Sequence, residues 1–226
     1  MTFTLETRLP QAVAVLPLDG HVLLPSAATP FRVTDHRHKR LVEDLLAKPA
    51  HDRWVAVPPR LPIRLADDDE GEVAALGLLT VATPLTGGEF IIVIEGRSAC
   101  RLEGGPAGVA DLSLPYRMAR VRHLVDRPEP LSSARRHTTA LIQSLFSLYD
   151  CFGLAATDLP ANDQPIDDIG LVYRIGSAVI EDPLWRARLL TERCPARRRE
   201  MVSSQIVDQL AFAQRERLLG RSPAAC

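Results

Sequence analysis

The hydrophobic pattern of this chain changes its period once, at Asp126-Arg-Pro-Glu-Pro130. No other feature constrains the fold as much. Upstream, short apolar β-type runs are punctuated by Pro and Gly. Downstream, apolar residues recur at helical spacing and Pro and Gly thin out. A block of strands followed by a block of helices predicts an α+β fold rather than alternating βαβ units. The boundaries read from this change are a β-rich subdomain over 1–125, a linker over 126–130 and a helical bundle over 131–222.

Within the first half, Val13–Leu16 and Trp54–Val57 are short apolar runs closed by prolines. Val73–Thr83 and Phe90–Ile94 flank Thr86-Gly87-Gly88 and predict a hairpin. Arg97–Leu102 and Tyr116–Leu124 read as further strands, separated by Gly104, Gly105, Pro106 and Gly108. Short strands at this spacing predict a closed or nearly closed β structure. One helix interrupts them, with Thr34 or Asp35 as its cap and Leu41, Val42, Leu45 and Leu46 on its apolar face. Pro58–Glu70, with the acidic run Asp67–Glu70, reads as a solvated loop, because consecutive like charges repel rather than converge on one ion.

In the second half, Ser132 or Ser133 caps a helix carrying Leu141, Ile142, Leu145, Phe146, Leu148 and Tyr149. Asp158–Pro165 reads as a loop. Asp167 or Asp168 caps the next helix, with Ile169, Val172, Ile175, Val179 and Ile180 inward. Pro183 restarts a helix after Asp182. The last helix begins at Pro195, with Met201, Val202, Ile206, Leu210 and Phe212 as its apolar positions.

Composition excludes several functions. Net charge is −1 and aromatics make up 5% of 226 residues. Neither supports a nucleic-acid surface, which needs a basic field or stacking platforms. No apolar run approaches the ~18 residues of a membrane span, and Met1–Gln11 lacks a leader pattern, so the expected compartment is the cytoplasm. Cys100, Cys151, Cys194 and Cys226 are far apart and form no CxxC, so they read as reduced thiols without a zinc site.

The two lysines, Lys39 and Lys48, limit the chemistry further. Neither follows the glycines of a phosphate-binding loop, which needs Gly-x4-Gly-Lys-[Ser/Thr]. Both accompany one amphipathic helix, so neither suits a Ser-Lys dyad, which needs a desolvated lysine. Gly96-Arg-Ser-Ala-Cys100 begins like a nucleophile elbow but lacks its final glycine. His36 and His38 are two residues apart, whereas ligands sharing a helix face need a spacing of three or four. Glu95 ends an apolar strand, where satisfying backbone donors or pairing with a nearby Arg is favoured over an acid–base role. Arg197-Arg198-Arg199 point around a helix and read as a solvated face. Arg117 faces away from Arg120 and Arg122 on its strand. These patterns predict no catalytic residue, cofactor or metal.

Taken in order, several motifs resemble the Lon protease N-terminal domain, also called the Lon substrate-binding domain. They are Val15-Leu-Pro-Leu18, Leu23-Leu-Pro25, Pro30-Phe31, Gly77 with Thr80-Val-Ala82, Val93-Ile-Glu-Gly-Arg97 and Tyr116–Pro128. The helices from Arg135 to Leu219 follow, and the likeness spans roughly residues 10–215. The acidic 58–72 segment is not part of that pattern. The resemblance implies a PUA-like β pseudobarrel holding one or two helices, then a C-terminal α-helical bundle. It also implies a stand-alone member without ATPase and protease modules. The implied function is non-enzymatic recognition of unfolded or partly folded proteins, with a separate full-length Lon as a second partner. The alternatives are RNA binding through the barrel, which rests on fold analogy alone, and regulation of a separate full-length Lon. The expected assembly is a monomer or dimer. For the peptide-binding surface, the expectation falls on Val22, Leu23 and Leu24, in a loop framed by Gly20 and Pro25, and on Leu85 at the hairpin tip.

Overall fold

A computed structural model describes residues 10–60, 72–103, 113–128, 131–152 and 168–219. The acidic run at 67–70, the glycines at 104–108, the loop at 158–165 and the tail after Leu219 lie outside them. The chain divides into two compact units, Met1–Leu124 and Val125–Cys226.

Among the described residues the first unit holds eight strands: β1 (Ala12–Val15), β2 (Leu18–Asp19), β3 (Ala28–Val33), β4 (Trp54–Val57), β5 (Pro59–Arg60), β6 (Glu72–Pro84), β7 (Phe90–Glu103) and β8 (Met118–His123). The six strands of the main sheet are ordered β3-β7-β6-β4-β1-β8, and β8 also pairs with β7. Five strands therefore form a closed ring, with β3 added outside it at β7. Closure removes exposed edges from the ring. Val13, Val15, Trp54, Ala56, Ala74, Leu76, Cys100, Leu102 and Ala119 form its core. A small parallel pair, β2 with β5, lies apart from the main sheet.

The sequence separates Phe90–Ile94 from Arg97–Leu102, but they are one strand with a bulge. Gly77 pairs with Gly96 and Leu76 with Ser98, which leaves Arg97 as the extra residue. A bulge bends a strand. The first half of β7 pairs with β3 and its last residues, Cys100–Glu103, pair with β8. The bend at Arg97 separates the two pairings. β3 itself was not expected, because Pro30 breaks a strand pattern. An edge position tolerates it, since a proline N can point away from the ladder.

α1 (His36–Leu46) carries the chain between the parallel strands β1 and β4, the kind of long crossover that parallel pairing requires. The carboxylate of Asp35 accepts hydrogen bonds from the backbone N–H of Arg37 (2.8 Å) and His38 (3.3 Å), so Asp35 and not Thr34 is the cap. Tyr116 Oη donates to Asp44 Oδ2 at 2.8 Å and ties the approach to β8 onto this helix.

The second unit is helical: α2 (Leu131–Phe152), α3 (Asp168–Val179), α4 (Pro183–Thr191) and α5 (Pro195–Leu218). Asp182 caps α4 through the Leu184 N–H, with Pro183 in the first turn. α5 packs on α2 and α3. Leu141, Leu145, Leu148, Val172, Ile175, Val179, Ile180, Val202 and Ile206 are buried as the periodicity predicts. Phe146 and Phe212, assigned to the apolar faces by the same reasoning, are exposed. Residues 125–127 are docked rather than a free linker. The Arg127 N–H donates to Arg193 O (2.8 Å), and Arg193 Nε donates to Val125 O (3.1 Å).

Candidate functional site

The structure places Val22, Leu23 and Leu24 in the core, at 4%, 0% and 1% exposure, which corrects the expectation that they line a peptide-binding surface. The cause is local. A Cβ on Gly96 would lie 2.1 Å from Leu24 O, so only glycine lets the 21–27 loop approach β7 this closely. The loop is then laced to that strand: Ser26 N–H donates to Gly96 O and Gly96 N–H to Ala27 O, each at 2.8 Å. Ser26, at φ 59°, makes the required turn. Leu85 is half-buried at the hairpin tip, where its N–H donates to Glu89 O at 2.8 Å.

Apolar surface lies instead on the outer face of the same hairpin. Side chains alternate along β7, so Ile92 and Ile94 point inward while Ile91 and Val93 point outward. Val81 (49% exposed) pairs with Val93, and Thr83 pairs with Ile91 (41% exposed). Across β3, Pro30 pairs with Val93 and Arg32 with Ile91. Directly paired residues share a face. Two rows result, Pro30–Val93–Val81 and Arg32–Ile91–Thr83. Charges rim them: Arg32 Nη2 contacts Glu89 Oε2 at 2.7 Å, and Arg97 Nη2 contacts Glu95 Oε2 at 2.8 Å. Glu95 is thus paired with arginine, one of the two structural roles its position offers. Pro30 takes one donor from the outer edge of β3, which disfavours strand addition there and leaves the sheet face as the accessible surface.

Among the described residues, one polar pair elsewhere approaches the geometry of a reactive site but lacks a carboxylate beside it. Ser98 Oγ lies 3.3 Å from His123 Nδ1, the geometry of a nucleophile beside a base. His123 Nε2, however, is buried without a partner, so no carboxylate orients the ring. Burial pushes the Cys100 thiol up to about 12, which keeps it protonated. Burial also lowers the His38 pKa, against the opposing pull of Asp35. Among the described residues no group of three His, Cys, Asp or Glu side chains could hold a metal ion, and no helix is long and apolar enough to cross a membrane.

The arginine run corrects a second expectation. Arg197 is exposed, but Arg198 and Arg199 are buried. Arg198 forms an ion pair with Asp126, and its guanidinium carbon lies 4.8 Å from the Tyr173 ring centroid. A signal for this was present: Pro195, Arg198, Arg199, Val202 and Ile206 recur at the spacing of one helix face. Charge alone predicts a solvated face, whereas the helix phase decides the direction of each arginine.

Comparison with solved structures finds the same fold. The N-terminal domain of the Mycobacterium avium complex Lon protease superposes with a TM-score of 0.67 at 16% identity, covering 87% of this chain and 98% of that one. A Lon N-terminal domain protein from Xanthomonas campestris gives 0.53 at 17% identity, covering 85% and 97%. No curated protein sequence matches the chain. Residues 12–208 match the family model of the ATP-dependent protease La (LON) substrate-binding domain, and the chain belongs to that family.

Proposed function

We propose that this chain is a non-catalytic recognition module for unfolded or partly folded proteins, and that it binds their apolar segments on the outer face of β3, β7 and β6. The observation that carries this reading is the pair of exposed branched side chains, Val81 and Ile91, diagonal neighbours in adjacent rows of a structured sheet face with a charged rim. Apolar side chains grouped on a rigid surface and bordered by polar residues fit protein partners. Leu85 extends the patch at the hairpin tip. The closed five-stranded ring supports the PUA-like reading of the first unit. Delivery of bound chains to a full-length Lon protease in the cytoplasm completes the proposal.

The test is fluorescence anisotropy of a labelled unfolded polypeptide and a single-stranded RNA, each at about 50 and 200 mM salt. Polypeptide binding that resists salt, and that falls about tenfold in Val81→Asp and Ile91→Asp, supports the proposal. RNA binding with a steep salt dependence, or polypeptide binding indifferent to both substitutions, overturns it.

A further inference from the structure

A polar pair lies on the inward face of the ring of strands, where β8 ends. Ala119 of β8 lies in the core and Val121 packs against it. Alternation turns His123 the same way. His123 pairs with the core residue Cys100, and Ser98 pairs with the core residue Leu76, so both side chains face inward. His123 Nδ1 lies 3.3 Å from Ser98 Oγ, and Nε2 is buried without a partner. A neutral imidazole fits this place, because its single proton can sit on Nδ1 and bond Ser98 while Nε2 stays a bare lone pair. An imidazolium does not fit. It carries N–H on both nitrogens, and the second would be a buried donor without an acceptor.

The groups facing this imidazole from β7 are Ser98 and Cys100, whose thiol stays protonated with its pKa pushed up to about 12. β6 sets Leu76 and Ala74 opposite them, and neither titrates. Arg122 and its cross-strand partner Arg101 alternate to the outer face, where Glu103 lies 3.5 Å from Arg122. Burial alone lowers the His123 pKa, and no charged neighbour adds to it or opposes it.

The attachment of β8 is uneven along its length. Met118, Ala119 and Arg120 pair with β1, and the Val121 N–H donates to Gln11 O at 3.0 Å. Beyond Val121, only β7 holds the strand among the described residues. Arg122 pairs with Arg101, His123 pairs with Cys100, and the Leu124 N–H donates to Ala99 O at 3.1 Å. Breaking these bonds releases three residues without disturbing the β1 side, which makes Val121 the hinge.

We propose that His123 is an acid-operated latch: a proton on its imidazole releases residues 122–124 from β7 while the rest of the ring of strands stays closed. The released residues are the last of the first unit. Release carries the imidazolium into water, where both N–H groups find acceptors, and it uncovers Ser98 and Cys100. Local release is favoured over global unfolding because the charge escapes burial for the loss of one strand end. The closed form prefers the neutral imidazole, so the latch is complete above about pH 6.5 and weakens as pH falls through that value. The polypeptide-binding face takes no part in it, so the latch and that reading stand or fall separately.

Amide hydrogen exchange of the full chain between about pH 7.5 and about pH 5.5, corrected for the pH dependence of the exchange chemistry, tests the latch. Protection of residues 122–124 should fall several-fold, up to about tenfold, while β4 and β6 keep theirs. Cys100 should gain reactivity in the same proportion toward dithiodipyridine, a disulfide that stays reactive in acid, read from the mass of its peptide. His123→Asn keeps a polar side chain near Ser98 but takes up no proton, so both responses should vanish. Ser98→Asp sets a carboxylate beside Nδ1 and should reverse their sign, with protection rising as the imidazole charges. Protection of 122–124 that ignores pH, a fall shared equally by β4 and β6, a fall that persists in His123→Asn, or a Ser98→Asp chain that still opens in acid overturns the proposal.

Discussion

Gly96 shows how one absent side chain organises a large part of the first unit. A methyl group there would meet a backbone carbonyl, Leu24 O, which cannot rotate away as a side chain can. Gly96→Ala should therefore cost at least the upper end of the ~1–3 kcal/mol typical of overpacking, read by denaturant unfolding. Arg198 is a residue-scale feature of the second unit. It is fully buried, whereas its partner Asp126 keeps part of its carboxylate in water. Asp126→Asn leaves a buried guanidinium without its counter-ion and should cost about 3 kcal/mol, the lower end for breaking such a pair. Trp185 lies in the same unit and reports the shift by fluorescence. Asp126→Asn combined with Arg198→Met should recover much of the loss, because no unpaired charge remains.

The histidines give the fold a pH dependence with a definite sign. Burial lowers the pKa of both His38 and His123 below the ordinary 6.5. The folded chain therefore favours their neutral rings. This contribution is complete above about pH 6.5 and is lost as pH falls through that value toward the folded-state pKa. The melting temperature should drop between about pH 7.5 and about pH 5.5, and His123→Asn should flatten part of that drop.

At the scale of elements, the 21–27 loop is buried, whereas the β6–β7 hairpin leaves Val81 and Ile91 exposed. Leu23→Ala should cost about 2–5 kcal/mol, as truncation of a fully buried leucine does. Ile91→Asp should change stability by no more than about 0.5 kcal/mol while weakening polypeptide binding, since its side chain meets solvent. Both Val22-Leu23-Leu24 and Ile91-Ile92-Val93 are apolar runs. Alternation along a strand exposes every second residue of the latter, whereas the loop buries all three of the former. Local pattern cannot separate these cases, because the loop is buried by a contact with Gly96, some seventy residues along the chain. The helix starts at Asp35, Asp182 and Pro195 were legible, because capping and proline effects act within one turn.

At the scale of the whole molecule, the change of period at 126–130 already marks where the strands end and the helices begin, and the units divide after Leu124. The prolines of the segment between them predict a stiff linker. Residues 125–127 instead belong to the second unit, through Arg193 and Arg198. By itself the sequence determined what depends on neighbours a few residues apart: a block of strands followed by a block of helices, most helix starts, and the buried faces of α1 and α3. Only the tertiary structure decided which apolar residues remain at the surface and which arginines leave it. It also decided where β7 changes partner and which side of α5 stays uncovered. Those outcomes depend on contacts between distant segments, closed here by a ring of strands and a glycine gap, and no local period encodes them.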